Sequence, residues 1–336
     1  MRKIERRKTM KKSTDAVIAQ NKHNKVAGFL SQNIILAALV VMCLILTICT
    51  PRFLTVKNIM NILMQSTTMG MAAVGMTYVV ITGGIDLSVG SVLALCAALG
   101  AAAMKNGAPV VIGVLIMLSV STAFGFIQGI LISRLKVPAF IVTLAGMSIG
   151  RGFTLVFTQG KTISGIPKSY QLIGNGYIAG FIPIAVLIMF LVYLVAFYVL
   201  KFTTFGRGIY ALGGNREATE LSGIHTKRIE MCVYGVSGFT AGLAAMILTA
   251  RLGTAVSTAG DCLEMDAIGA AVIGGASLAG GRGTMKGTLV GVLILSVLNN
   301  GMNLLNVNTF YTGVVRGVVI LIAVLLDTLK NRSELT

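Results

Sequence analysis

The sequence predicts an all-helical integral membrane protein with about ten transmembrane helices. Of its 336 residues, 55% are hydrophobic and 12% are charged, and the charged fraction is about half that of an ordinary soluble domain. The mean hydropathy is +0.86, and apolar runs separated by short polar stretches recur along the chain. Most of the chain is therefore expected to lie in lipid, and the net charge of +17 is better explained by orientation in a membrane than by nucleic-acid binding.

A run of about 20 mostly apolar residues is long enough to cross the hydrocarbon core as a helix. The predicted spans are 28–50, 59–82, 88–104, 110–132, 138–157, 182–200, 231–250, 267–281, 288–305 and 311–327. The eighth is short and rich in glycine. The first could be the apolar core of a signal peptide, but it is too long for one and no small-residue cleavage site follows it. We therefore predict that it is a membrane span.

The positions of Lys and Arg predict the orientation. With the N terminus in the cytoplasm, 20 of the 28 lie in cytoplasmic segments and six in outer loops, as the positive-inside rule requires. Both termini are then cytoplasmic. This predicts a basic cytoplasmic tail (1–27) that can contact anionic lipid, a transmembrane domain (28–327) and a cytoplasmic C-terminal tail (328–336).

Two further patterns concern how the spans pack. Spans 2–5 and spans 7–10 would run in opposite directions on either side of span 6, which is the arrangement of an inverted repeat. Pairs of glycines four residues apart indicate close helix packing. These pairs are Gly125/Gly129, Gly146/Gly150, Gly238/Gly242, Gly287/Gly291 and Gly313/Gly317.

Several classes of function are disfavoured. No phosphate-binding motif of the form GxxxxGK[ST] occurs, and no polar stretch between spans is long enough for an ATPase domain. Ion-coupled transporters usually carry ionisable residues at membrane depth, and Asp86 is the only acidic residue closely bracketed by apolar runs. No catalytic or metal-binding cluster is evident, so we expect no catalytic residue, metal site or cofactor.

The segment 82–91 interrupts two apolar runs with glycines and a carboxylate. One interpretation is a tight turn in which Asp86, together with Ser88, caps the following helix. The other is a helix break that faces a translocation pathway, because irregular backbone at membrane depth is tolerated only beside protein or water. The two interpretations are compatible.

The longest cytoplasmic loop, about 201–230, contains a predicted short helix. Asn215 suits the N-cap, Glu217 favours the positive end of the helix, and Gly223 suits the residue after the C-cap. Such a helix could be held rigidly against a partner, or could be an ordinary solvated loop helix. The residues assigned to this docking element are Gly213, Gly214, Asn215, Glu217, Glu220 and Gly223.

Two more segments carry polar or glycine-rich patterns. Residues 274–284, with Gly275, Ser277, Gly280 and Gly281, lack the spacing of a phosphate-binding loop, so close backbone packing at the cytoplasmic mouth is the prediction. Three amides lie in or beside span nine, at Asn299, Asn300 and Asn303. They either bond between helices or offer neutral hydrogen bonds to a hydroxylated solute. Arg151 and Arg316, within spans, are expected to snorkel or to pair.

Together these segments resemble the permease subunits of bacterial monosaccharide ATP-binding-cassette importers, the ribose permeases among them. The residues that carry the resemblance are 74–77 (VGMT), 84–91 (GIDLSVGS), 209–215 (IYALGGN), 221–224 (LSGI), 264–268 (EMDAI), 275–281 (GASLAGG) and 298–305 (LNNGMNLL). They occur in the family's order across residues 53–327. The tail 1–27 and the outer segment around 161–178 are not matched.

The resemblance implies a multi-pass permease of the bacterial cytoplasmic membrane that imports ribose or a similar sugar. It implies three partners: a cytoplasmic ATPase that docks on residues 213–223, an extracytoplasmic sugar-binding protein and a second copy of the chain. Within the family, another pentose or hexose, or a furanosyl signal molecule, is the alternative substrate. An ion-coupled sugar transporter and a membrane enzyme are the alternatives from other classes.

Overall fold

The computed structural model describes residues 34–333, and this part of the chain is predominantly helical. The helices are α1 (Ile34–Cys49), α2 (Val56–Ile81), α3 (Val89–Lys105), α4 (Val110–Ser133), α5 (Ala139–Thr158), α6 (Lys168–Asn175), α7 (Ile184–Phe202), α8 (Thr204–Gly214), α9 (Arg216–Leu221), α10 (Thr226–Leu252), α11 (Leu263–Ile273), α12 (Met285–Leu304) and α13 (Thr309–Ser333). Strands β1 (Tyr177–Ile178) and β2 (Ile182–Pro183) form a small antiparallel hairpin before α7.

Each predicted span overlaps one helix, except that the start of the first span and the tail 1–27 lie outside the described residues. The largest difference is at span eight, predicted at 267–281. The helix there, α11, ends at Ile273, because Gly275 adopts a left-handed φ of 89° and the chain turns. The last helix continues to Ser333, beyond the predicted end of span ten.

Five helices of the described chain are long and apolar enough to cross a membrane, namely α4, α5, α7, α10 and α12. The helices α1 and α3 and the central part of α13 are apolar but shorter. The fold is therefore an all-helical membrane bundle.

The centre of the bundle is made by α2 and α10. The second half of α2 is buried continuously from Ser66 to Ile81, and most of α10 is buried as well. The two helices pack against each other, and the remaining helices surround them in a repeated pattern. Helix α3 packs on α4, α5 and α10, and helix α11 packs on α12, α13 and α2 in the corresponding way. Helix α3 in the group α2–α5 and helix α11 in the group α10–α13 thus make equivalent sets of contacts.

Glycine allows α4 and α10 to cross in backbone contact. A methyl group added at Gly125 would lie 3.1 Å from the Gly238 Cα atom, and one added at Gly129 would lie 2.7 Å from the Met231 carbonyl oxygen. A methyl group at Gly242 would overlap the Ser121 hydroxyl. The paired spacing on both helices is therefore a real packing motif.

The other predicted glycine pairs differ in whether they contact a neighbouring helix. Gly287 and Gly291 of α12 lie against Gly274 and the Ala270 carbonyl oxygen, where an added methyl group would again overlap backbone. In contrast, nothing in the described chain lies within 4 Å of a methyl group added at Gly313 or Gly317.

Gly238→Ala is expected to destabilise the protein by about 1–3 kcal/mol, because the new methyl group has no room against α4. Gly317→Ala is the matched control: it is also a glycine within a helix, but no atom of residues 34–333 lies within 4 Å of the added methyl group. Thermal unfolding of both variants in detergent measures the difference. Equal melting temperatures for the two variants would show that the α4–α10 crossing does not depend on Gly238.

Candidate functional site

The chain leaves the helical conformation between α2 and α3, and Asp86 lies buried in this break with 2% of its surface exposed. Its carboxylate accepts three hydrogen bonds. The Ser88 backbone N–H and hydroxyl donate to Oδ1, at 2.9 and 2.7 Å. The Ser237 hydroxyl of α10 donates to Oδ2, at 2.6 Å. Asp86 therefore caps the region where α3 begins and ties it to the central helix α10.

Gln128 of α4 extends this network. The Ser88 hydroxyl carries a single proton, which it donates to Asp86 in the shorter contact. The Gln128 side-chain amide lies 3.1 Å from the same hydroxyl oxygen, so this contact is a hydrogen bond only when the amide nitrogen faces Ser88. That orientation also gives the otherwise unpartnered Nε2 a hydrogen bond. A relay then runs from Gln128 through Ser88 to Asp86.

Two more buried side chains contact the broken segment. The Thr143 hydroxyl of α5 lies 3.3 Å from the Ile85 carbonyl oxygen and 2.9 Å from that of Ala139. A methyl group added at Gly84 would lie 2.5 Å from the hydroxyl oxygen of Tyr234 in α10, so this hydroxyl packs directly against the Gly84 backbone. Of these two hydroxyls, that of Thr143 contacts a backbone carbonyl of the break, whereas that of Tyr234 has no hydrogen-bond partner among the described residues.

Three glycine-containing segments, which the sequence analysis treated separately, meet in what we call the glycine junction. It consists of Gly83, Gly213, Gly214, Gly280 and Gly281. The Gly281 N–H donates to the carbonyl oxygen of Ile81, the last residue of α2, at 2.8 Å. A methyl group at Gly280 would lie 2.7 Å from the Gly213 carbonyl oxygen and 3.1 Å from the Gly83 nitrogen. The junction therefore joins the end of α2 directly to the end of α8.

The loop 274–284 is closely packed as predicted, but its predicted residues divide into two groups. Gly280 and Gly281 belong to the glycine junction. Gly275 ends α11, and the buried Ser277 shapes the loop through its N–H, which donates to the Arg282 carbonyl oxygen at 3.1 Å. The sequence analysis missed that Tyr210 of α8 also holds this loop, by donating to the Gly283 carbonyl oxygen at 2.7 Å.

The short helix predicted in the long cytoplasmic loop is α9, and its ends are those predicted. The Asn215 side chain accepts the Ala218 N–H at 2.9 Å. Gly223 has a left-handed φ of 78°. Glu217 lies in the first turn. Leu221 at the far end is 89% exposed, so α9 presents a large apolar side chain to solvent.

An ion-pair cluster, which we call the α9–α10 clamp, attaches this helix to the central helix. Arg216 donates from Nη1 and Nη2 to Glu230 Oε1 and Oε2, at 3.1 and 2.8 Å. Glu220 Oε1 lies 3.5 Å from Arg216 Nε and accepts the Thr226 hydroxyl at 2.7 Å. The sequence analysis assigned Glu220 to the docking element without predicting its partner, and it gave no role to Arg216 or Glu230. Opposite charges flanking a short loop were the only available signal.

The pKa shifts of Arg216 and Glu220 agree with the contacts of the α9–α10 clamp. The hydrogen bonds that Arg216 donates to Glu230 are the main cause that raises the pKa of Arg216. The hydrogen bond from Thr226, followed by the charge of Arg216, lowers the pKa of Glu220. Both shifts favour the charged forms of Arg216 and Glu220, and the bidentate pair of Arg216 with Glu230 fixes the direction in which α9 leaves α10.

The predicted asparagine cluster does not form a single site with Asp86. Asn300 and Asn58 are buried and exchange two amide hydrogen bonds, at 2.9 and 3.0 Å. Asn299 is half-buried and Asn303 exposed, and within the described residues neither side chain makes a hydrogen bond. Asn58 lies near the start of α2 and Asp86 lies just after its end at Ile81, so about 35 Å of helix separates Asn58 from the break that holds Asp86. The proposed pathway set therefore lies at two separate levels of the bundle.

Both arginines within the spans are paired. Arg151 Nη2 lies 2.6 Å from Asp261, and Nη1 of the same residue donates to the Ser257 and Ala259 carbonyl oxygens. Arg316 Nη1 lies 3.0 Å from Asp266, so it joins α13 to α11. Pairing, one of the two predicted explanations, is thus what the structure shows.

The described chain is thus a helical bundle in which several helices are apolar enough to cross a membrane. The chain belongs to the family described as branched-chain amino acid transport system / permease component, which matches residues 58–324.

Relatives in the same family cover almost the whole chain. The ribose import permease protein RbsC of Haemophilus influenzae is 44% identical over 315 residues, which is 93% of this chain and 97% of the relative. That of Bacillus subtilis is 46% identical over 295 residues, or 87% and 91%. The xylose transport system permease protein XylH of Escherichia coli is 33% identical over 365 residues, or 90% and 92%.

No solved structure matches the chain. The family and its relatives confirm the resemblance drawn from the sequence. The chain is a multi-pass permease of the bacterial cytoplasmic membrane, and it is a transport subunit rather than an enzyme.

Asp86→Ala is expected to impair stability and transport more than Asp86→Asn. Alanine leaves the Ser88 and Ser237 hydroxyls without their acceptor, and each unpaired buried group costs about 1–3 kcal/mol. Asparagine keeps one acceptor oxygen and nearly the same volume. Melting temperature in detergent and uptake into proteoliposomes provide the measurements. Wild-type values for correctly inserted Asp86→Ala protein would rule out any role for the carboxylate in the break.

Proposed function

We propose that the chain is the membrane-spanning permease subunit of an ATP-binding-cassette importer that carries ribose into the cytoplasm. The observation that supports this most directly is 44–46% identity to two ribose import permeases over nearly the whole chain. Identity to a xylose permease is 33%, so ribose is favoured over xylose. A different pentose or hexose, or a furanosyl signal molecule, is the alternative substrate within the same mechanism.

Transport by such a permease requires separate partners. The sequence has no phosphate-binding motif of its own, so a cytoplasmic ATPase would supply the energy. An extracytoplasmic sugar-binding protein would deliver the substrate. The family resemblance suggests that a second copy of the chain completes the membrane part.

The exposed face of α9 is the proposed docking site for the ATPase. Leu221, with the exposed Ile224 three residues further on, offers an apolar anchor among polar residues. The α9–α10 clamp leads from this surface to α10, whose Ser237 contacts Asp86 in the broken segment. The glycine junction provides a second connection, from α8 to the end of α2. A movement of α9 driven by the ATPase would therefore reach the break between α2 and α3 through two routes.

The proposed translocation residues divide according to their contacts. Asp86 and Ser88 would control the shape of the break, since their polar groups are satisfied within the protein. Asn300 would hold α12 to α2 through Asn58. Asn299 and Asn303 have amide groups without partners in the described chain, so they are the better candidates for hydrogen bonds to sugar hydroxyls.

The proposed topology has ten spans with both termini in the cytoplasm and the groups α2–α5 and α10–α13 as an inverted repeat. The distribution of Lys and Arg supports the orientation. The equivalent packing of α3 and α11 within their groups supports the repeat.

Proteoliposomes that contain the permease, its ATPase and a ribose-binding protein are expected to take up ribose when supplied with ATP. Gly223→Val should abolish uptake and binding-protein-stimulated ATP hydrolysis together, because a β-branched residue is strained at the left-handed φ of 78°. Glu217→Lys should act in the same direction by placing a positive charge at the positive end of α9.

Gly180→Val is the matched control, since Gly180 has nearly the same left-handed φ of 79°, leaves open space for a side chain and lies in the hairpin before α7, away from α9. It should retain most of the wild-type activity. Full stimulation and uptake by both Gly223→Val and Glu217→Lys would refute the docking assignment. Absence of ribose uptake by the wild-type protein, with uptake of another sugar, would refute the substrate instead.

Single cysteines placed at Asn175 and at Gly214 in a cysteine-free background should react with a membrane-impermeant reagent from opposite sides. The ten-span topology puts residue 175 outside and residue 214 inside. Intact cells should label only the first, and inverted vesicles only the second. Labelling of both positions in intact cells would contradict the topology.

A further inference from the structure

A cavity of about 620 Å³ lies beside the end of α9, and we call it the basic cavity. Its charged lining includes Arg134 at the end of α4 and Lys227 and Arg228 in the first turn of α10. Among the described residues, none of these three side chains forms an ion pair. The single acidic residue of the lining, Glu220, is already engaged by Arg216 and Thr226. The cavity therefore has an excess of positive charge and suits an anion.

An apolar groove of about 350 Å³ runs between α4 and α5. Its lining is almost entirely hydrocarbon and includes Ile127, Leu131, Ile141 and Ile149. The isoleucines are 51–58% exposed, so in this chain the groove opens outward. On a helix pair that is apolar enough to cross the bilayer, an outward-facing groove of this kind contacts acyl chains.

The two features adjoin on a single helix face. Leu131 lines the groove and Arg134 lines the basic cavity, and residues three apart on a helix are neighbours. Met231 of α10 lines the basic cavity and packs on Gly129 of α4. The cavity is therefore bounded by α4, the helix that also lines the apolar groove. An anion site therefore stands at one end of a hydrocarbon site, which is the pattern of an amphipathic, negatively charged ligand.

We propose that the basic cavity and the apolar groove together bind one anionic phospholipid. Its phosphate lies among Arg134, Lys227 and Arg228, and one acyl chain lies along the groove between α4 and α5. Basic sites between helices at a membrane surface hold lipid head groups in this way. With the orientation proposed above, the lipid belongs to the cytoplasmic leaflet, but binding itself does not depend on the orientation or on the transported sugar.

The bound lipid would lie next to the machinery of the broken segment. Gln128 forms part of the groove wall, and its amide contacts Ser88 of the Asp86 network. The head group would lie beside Gly223, which ends α9. A single lipid would therefore touch both the docking helix and the helix that supports Asp86.

The test is native mass spectrometry of the full-length chain in detergent, titrated with phosphatidylglycerol or phosphatidylcholine. The wild type should retain phosphatidylglycerol in preference to phosphatidylcholine. Combined replacement of Arg134, Lys227 and Arg228 by Gln should weaken phosphatidylglycerol binding on the order of 100-fold, because three charges near the phosphate are lost. The charge-matched control replaces Lys201, Arg207 and Lys286 by Gln, outside the cavity, and should bind phosphatidylglycerol as the wild type does.

A second variant tests the groove and remains informative if the triple variant fails to insert. Ala145→Phe fills the groove, and it should weaken phosphatidylglycerol binding at least about 10-fold because the acyl chain loses its place. Val156→Phe is the control, on the same helix at a 77% exposed position outside the groove.

Three outcomes would overturn the proposal. The first is equal affinity of the wild type for the two lipids. The second is unchanged phosphatidylglycerol binding in Ala145→Phe. The third is equal loss in the charge-matched control. If Ala145→Phe changed the oligomeric state alone, the groove would be a contact between copies, and if the triple variant lost ATPase binding alone, the cavity would be a protein-docking site.

Discussion

The constraint on which this structure depends is that backbone without helical hydrogen bonds must find partners inside a membrane protein. The chain breaks between α2 and α3, next to the most deeply buried part of α2. Lipid offers no hydrogen bonds there, so the surrounding helices must supply them. Asp86 meets this need by accepting three hydrogen bonds, from its own segment and from α10. Helices α4, α5 and α10 accordingly place Gln128, Thr143 and Ser237 against the break.

Close packing of glycine backbones is the second determinant. Lipid provides little hydrophobic force between helices, so close approach and dispersion contacts hold the bundle together. The α4–α10 crossing and the contact of α12 with α11 each depend on a residue without a side chain. The glycine junction uses the same principle at one end of the bundle, where it brings the ends of α2 and α8 into direct contact.

Much of this fold could be predicted from the sequence, because the bilayer imposes a minimum length and polarity on each span. The ten apolar runs and the caps of α9 were recognised from local residue patterns alone. The end of α11 was misplaced by eight residues because alanine and glycine beyond Ile273 are apolar but not helical. Hydropathy does not distinguish an apolar helix from an apolar turn.

The partners of the candidate site residues were harder to predict. Asp86 and Asn300 stood out as polar residues in apolar surroundings, whereas Ser237, Gln128 and Asn58 did not. A serine or glutamine within a long helix is common, and its importance depends on which distant residue it meets. For the same reason the glycine junction was not predicted: the three segments were each rich in glycine, but only the fold brings them together.

The α9–α10 clamp has a consequence for assembly. Arg216 and Glu230 belong to the same chain, so α9, the proposed docking helix, is held in place without any partner protein. A partner that binds a preformed helix does not have to bear the entropy loss of ordering it, so more of the contact energy appears as affinity. If the proposed docking on α9 holds, α9 would not follow the ATPase without moving α10, because the Arg216–Glu230 pair joins the two helices.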